Sequence, residues 1–316
     1  MDNHTLSATA GSSRPQRSAS RTKRRAARFR WPLVALAVVV AAVGMFLVVH
    51  YPIASWVASL IFVACCVISF VWPDSWLVAL PLLLPLVGFA PWTGWITFEE
   101  LDLLVLATAT GGYARLAWPP RHAQPTAREP RHSVLLGLLM LLFAISTLIA
   151  LARGFANAGG FSFGWYQGYH ESMNSLRLAK SFFLALLMLP LWRAAVARRG
   201  SQASTRLTIG LMLGLIGASL ATVWERAAFV GLLNFSTDYR TTGPFWEMHV
   251  GGAALDGFLA LLMPFALRDL FVPHATWRWA CGVACIVLGA YACLTTFSRG
   301  VYVTVWPSSP VARRYR

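Results

Sequence analysis

Nine apolar stretches succeed one another through the chain with only short polar breaks, at about 31–50, 53–72, 76–94, 98–117, 133–152, 176–195, 207–224, 251–268 and 278–297. A run of roughly 18 apolar residues is long enough, as a helix, to cross the hydrocarbon layer of a bilayer. Inside a bilayer each segment must satisfy its own backbone N–H and C=O groups, so these runs are expected to be helices. The chain therefore reads as all-α, a polytopic membrane protein of about nine transmembrane helices with an incomplete tenth beginning near Val301. Composition agrees. Of 316 residues 57% are hydrophobic and 12% charged, against roughly 25% charged in ordinary soluble domains.

Four regions follow. Residues 1–30 are rich in Ser, Ala and Arg and are predicted to form a disordered basic tail. Residues 31–206 carry about six spans. Residues 207–306 carry the rest and enclose the most polar interruption of the C-terminal half, 224–256. Residues 307–316 are a second basic tail. The net charge of +15 would suggest nucleic acid in a soluble domain. Here the basic residues lie between apolar runs, which points to membrane topology and lipid headgroups, not to nucleic acid.

Positively charged loops stay cytoplasmic. With the N-terminal tail inside, 18 of the 27 Lys and Arg fall inside. They comprise eight in the tail, then Arg115, Arg121, Arg128, Arg131, Arg193, Arg198, Arg199, Arg206, Arg268 and Arg278. Six fall outside: Arg153, Arg177, Lys180, Arg226, Arg240 and Arg299. Charges held against the topology bias are candidates for a site. The outer face also takes the 153–175 segment with His170 and Glu171, and the acids Glu99, Glu100 and Asp102. Thr97 to Glu100 has the pattern of a capping box, so those acids also suit the first turn of any helix.

The 224–256 loop holds the main candidates. Arg226, Arg240 and Arg299 offer planar, permanently charged forks that suit phosphate oxygens, or they form salt bridges with neighbours such as Glu225 and Asp238. Gly251 and Gly252 open the eighth span, where backbone N–H groups and the helix dipole favour an anion, or where small residues allow close packing. Asp256, one turn in, either pairs with an arginine or acts on a sugar hydroxyl. Glu225 and His249 are further candidates for proton transfer. All five cysteines lie within apolar runs, and none completes a metal set, so they read as packing residues.

Taken in order, Trp224-Glu225-Arg226, Tyr239-Arg240-Thr241-Thr242-Gly243-Pro244-Phe245, Gly251-Gly252 and Thr296-Phe297-Ser298-Arg299-Gly300 resemble the O-antigen ligase and polymerase family of bacterial inner membranes. The resemblance covers about residues 207–300. It implies a polytopic helical enzyme working at the periplasmic face without metal or nucleotide cofactor. The implied donor is a glycan on undecaprenyl pyrophosphate, and the acceptor is a hydroxyl of lipid A core, another glycan or a protein. Arg226, Arg240 and Arg299, with Gly251 and Gly252, would hold the pyrophosphate, and Glu225, His249 or Asp256 would take the acceptor proton. The family continues beyond its S-R-G motif with further helices and a histidine motif, whereas here a tenth span starts and breaks off. A truncated or frameshifted form, and so an inactive remnant, is one expectation. A transporter or flippase for a lipid-linked or anionic glycan is another. Transporters tend to place charge and broken helices near mid-membrane, and here the charge collects at the outer ends of the spans.

Overall fold

The computed structural model describes residues 31–87, 96–118, 134–166, 168, 170–237, 239–245, 253–269, 276–299 and 301–302. Among the described residues the chain is helical throughout. The helices are α1 (Trp31–Val49), α2 (Ser55–Val71), α3 (Trp76–Leu83), α4 (Glu100–Ala117), α5 (Val134–Asn157), α6 (Ser172–Arg199), α7 (Ser201–Phe229), α8 (Ala253–Asp269) and α9 (Thr276–Thr295). A single bridge, Ile96 to Tyr166, joins two loops. Each apolar run carries one helix. Four of them, α1, α5, α6 and α7, are long and apolar enough to cross a membrane. The apolar helices α2, α8 and α9 are shorter. The basic tails, 1–30 and 307–316, and the tenth span beyond Tyr302 lie outside the described residues.

The third run departs most from expectation. A span over 76–94 is expected, but α3 has eight residues, about 12 Å of helix. Pro81 lies inside it and Pro85 follows four residues later. Pro85 has no N–H to give the Pro81 carbonyl, so regular hydrogen bonding stops there. That carbonyl lies against α7: a Cβ built on Gly214 would meet the Pro81 oxygen at 2.5 Å. Gly210, one turn earlier, touches Val78 in the same way. Gly210, Gly214 and Ala218 form a small-residue stripe on which α3 lies, the arrangement that lets backbones approach in membranes. Gly111 of α4 plays the same part against the Cys66 carbonyl of α2.

Two apolar clusters result. One joins α1, α2, α3, α4 and α6 around Leu47, Phe62, Leu77, Leu106, Tyr113 and Leu191. The other joins α7, α8 and α9 around Leu215, Leu259, Leu262 and Met263. By contrast no residue of α5 is buried. This 24-residue helix meets α6, where the Phe143 and Phe182 rings lie 4.5 Å apart, and its remaining apolar surface is of the kind that suits lipid.

Side-chain contacts fix which helix ends lie together. Tyr51, after α1, donates its hydroxyl to Glu100 at the start of α4 (2.7 Å). Lys180, early in α6, meets Asp102 (2.5 Å) and Glu99 (3.5 Å). Thr97 donates to the Gly164 carbonyl beyond α5 (2.9 Å). At the opposite end Asp74, before α3, receives Arg198 (2.7 Å) and Arg199 (2.5 Å) from the end of α6. Since α7 runs parallel to α3, its C-terminus returns to the Tyr51 end. The expected capping box over Thr97 and Glu100 is corrected by two residues. Glu99 is the N-cap and Asp102 its partner, because the Thr97 hydroxyl is taken by Gly164.

Candidate functional site

α7 stops where the sequence supplies a glycine. Gly231 takes φ of +98° and donates to the Arg226 carbonyl at 2.7 Å, the left-handed closure that ends many helices. The chain then folds back over the helix end, and two adjacent side chains hold it. Glu225 accepts from the Tyr239 hydroxyl (2.8 Å), the Thr242 amide (3.1 Å) and the Gly243 amide (2.7 Å). Gly243 has φ of +59°, and a Cβ there would sit 3.1 Å from the Thr222 hydroxyl, so only glycine fits without strain. Arg226 donates to the Tyr239 carbonyl (3.1 Å) and to the Asn234 carbonyl, with its guanidinium over the Phe235 ring.

Arg226 is fully buried, 0% exposed, and its Nε has no hydrogen-bond partner. Its fork thus faces peptide carbonyls of the loop where the family resemblance implies phosphate oxygens. Glu225, also buried, spends its oxygens on loop donors where proton transfer is expected. Burial first, then the hydrogen bond to Glu225, pushes the Tyr239 hydroxyl up to about 12. It therefore remains a donor at every ordinary pH.

This clasp delivers Arg240 to the place where α8 begins and α9 ends. Arg240 Nε donates to the Thr296 carbonyl (2.8 Å) and Nη2 reaches Asp256 Oδ2 (3.3 Å). Next in the chain, Thr241 bonds Thr295 through amide to carbonyl (3.3 Å) and hydroxyl to hydroxyl (3.0 Å). The Arg240 side chain is 42% exposed and Asp256 17%. Asp256 Oδ1 is buried and has no hydrogen-bond partner among the described residues. Arg299, four residues past the end of α9, is exposed, and among the described residues it has no ion-pair partner. Of the sequence candidates, Glu225, Arg226, Arg240, Asp256 and Arg299 therefore gather at one end of α7, α8 and α9. His249, Gly251 and Gly252 lie outside the described residues, as do Asp238 and Glu247. His170 and Glu171 are exposed at the start of α6, at the same end of the bundle.

Sequence reasoning missed the side chains that hold this end together. Tyr239 and Asn234 frame Arg226, Thr295 and Thr296 anchor the loop, and Tyr51 binds Glu100; at the opposite end sequence reasoning also missed Asp74, which binds Arg198 and Arg199. One signal was available for Asp74: it is an acid in a short turn on the side where Arg198 and Arg199 are expected. Among the described residues no three His, Cys, Asp or Glu side chains come together to hold a metal ion. No family model, curated protein or solved structure matches the chain.

Proposed function

We propose that the chain is a polytopic protein of a bacterial inner membrane, crossing about nine times with its N-terminus cytoplasmic. In this reading it transfers a glycan from undecaprenyl pyrophosphate to an acceptor hydroxyl at the periplasmic face. The acceptor is a lipid A core, another glycan or a protein. The observation that carries the reading is the pair Arg240 and Arg299. Both are exposed, both stand at the end of the apolar helices α8 and α9, and neither is locked into the loop as Arg226 is. Two permanent cations at a membrane boundary suit a pyrophosphate whose isoprenoid tail remains in the bilayer.

The chemistry is a displacement at the anomeric carbon. The acceptor oxygen forms the new C–O bond while the bond to the pyrophosphate breaks, and undecaprenyl pyrophosphate leaves with the electron pair. Arg240 and Arg299 stabilise the charge that builds on the leaving oxygens. Asp256 or His249 takes the hydroxyl proton. Glu225 and Arg226 serve as the frame that sets Arg240 in place, since their polar atoms are engaged by residues 234–243.

The test is native mass spectrometry of the purified chain in detergent with undecaprenyl pyrophosphate and, as control, undecaprenyl alcohol. Retention of the pyrophosphate should exceed that of the alcohol. The preference should fall about tenfold in Arg240→Ala or Arg299→Ala, the loss expected for one charge-assisted hydrogen bond. Equal retention of both lipids, unchanged by either substitution, would reject the donor site.

A further inference from the structure

Arg240 already holds an anion, the carboxylate of Asp256. We infer that Asp256 is an internal stand-in for the donor's phosphate, occupying the guanidinium until a pyrophosphate displaces it. The inference rests on the donor reading above and adds an order of events to it.

Three observations carry it. First, the pair is weakly made. A single N–H reaches a single oxygen at 3.3 Å, where a bidentate arginine–carboxylate pair makes two shorter bonds. The arginine is also 42% exposed. Partly solvated pairs of this kind contribute little and exchange readily. Second, Asp256 is poorly supported from its other side, because Oδ1 is buried with no hydrogen-bond partner among the described residues. A carboxylate kept for structure alone is ordinarily satisfied, as Glu225 is with three donors. Third, Arg240 is held independently of Asp256. Its Nε is fixed on the Thr296 carbonyl and Thr241 is tied to Thr295 by two bonds. Losing the carboxylate therefore leaves the guanidinium in position, with Nη2 turned to the anion that replaces it.

The exchange has a chemical consequence. While paired, the Oδ2 of Asp256 is occupied. Once the pyrophosphate takes Arg240, that oxygen is released from the guanidinium. Donor binding thereby frees a carboxylate at the start of α8.

The experiment measures undecaprenyl pyrophosphate affinity of the full chain in detergent by titration in native mass spectrometry. Variants are Asp256→Asn, Asp256→Ser, Arg240→Ala and the double Arg240→Ala with Asp256→Asn, with undecaprenyl alcohol as control. Removing the internal competitor should tighten pyrophosphate binding about fivefold, the ceiling set by an exposed pair, and leave the alcohol unchanged. The gain should disappear in the Arg240→Ala background. Asp256→Ser, which deletes the carboxylate with a smaller side chain, gives the same reading where the amide variant fails to fold. Unchanged or weaker pyrophosphate binding in both Asp256 variants, with the preference over alcohol intact, would overturn the stand-in while leaving the donor site standing. No preference for pyrophosphate in the unaltered chain would overturn both.

Discussion

Asp74 is nearly enclosed, 4% exposed, yet faces two arginines that are about one-third exposed. Burial by itself would raise its carboxyl, but the hydrogen bonds and charges of Arg198 and Arg199 outweigh burial and hold it below the usual carboxylate range. A carboxyl lowered in the folded state stabilises the fold at pH values above its unfolded value, roughly 3.9. That contribution is lost as the pH falls through the lower folded value. Asp74→Asn should therefore cost about 3 kcal/mol near pH 7, the low end for breaking a buried pair, because the arginine ends still reach solvent. The gap between the variant and the parent should begin to narrow below about pH 4 and shrink further as the pH falls toward the lowered folded value. Thermal unfolding of both proteins in detergent across pH 3–7 measures this, and a gap that stays constant over the range would show that the carboxylate charge is not its source. Lys180 poses the same problem at the other end of the bundle. It is buried, and Asp102 at 2.5 Å and Glu99 at 3.5 Å supply the counter-charge.

Among the helices, α3 and α7 approach closely, backbone against backbone. The Pro81 carbonyl, left without a donor by Pro85, sits where a Gly214 side chain would be. Any Cβ there must push backbone aside, which side-chain repacking cannot absorb. Gly214→Ala is expected to lower stability by about 1–3 kcal/mol, the range for overpacking a filled interface. Gly137 of α5 is the matched control, since nothing lies within 4 Å of its Cβ position. Gly137→Ala should leave stability level or raise it slightly by helix propensity. Comparing the two variants by chemical unfolding in detergent separates contact from propensity, and equal effects would contradict the close approach.

For the molecule as a whole, the ends of the helices sort into two sets. Tyr51 with Glu100, Lys180 with Asp102, and Arg240 with Asp256 lie at one end. Asp74 with Arg198 and Arg199 lies at the other. On the proposed topology these ends face opposite aqueous compartments, and α5 meets lipid on the faces that α6 leaves open. Single cysteines at Ser162 and Thr237, both exposed, should then react with an impermeant maleimide from one side of the membrane. A cysteine at Ser201, also exposed, should react from the other. Spheroplasts and inverted vesicles bearing these variants in a cysteine-free background distinguish the sides. Labelling of Ser162 and Thr237 from opposite sides would break the arrangement.

Much of this architecture is legible in one dimension. Apolar length marks the place of each of the nine helices among the described residues, but only four of them, α1, α5, α6 and α7, are long and apolar enough to cross a membrane. The end of α7 is not legible in the same way: the apolar run stops at 224, whereas the helix continues through Glu225 and Arg226 to Phe229 and closes on Gly231. The loop's candidate residues are visible as charges standing against the topology bias. What each of them does is not visible. Arg226 and Arg240 look alike in sequence, fourteen positions apart and each near an acid, yet one is enclosed and the other exposed. The difference comes from how the loop closes, which sets contacts such as Arg240 to Thr296 across 56 residues and Arg199 to Asp74 across 125. Local pattern reports the water-to-lipid preference of a segment. The partner of a long charged side chain depends on which distant backbone groups the fold leaves within its reach, and that is settled only when the helices pack.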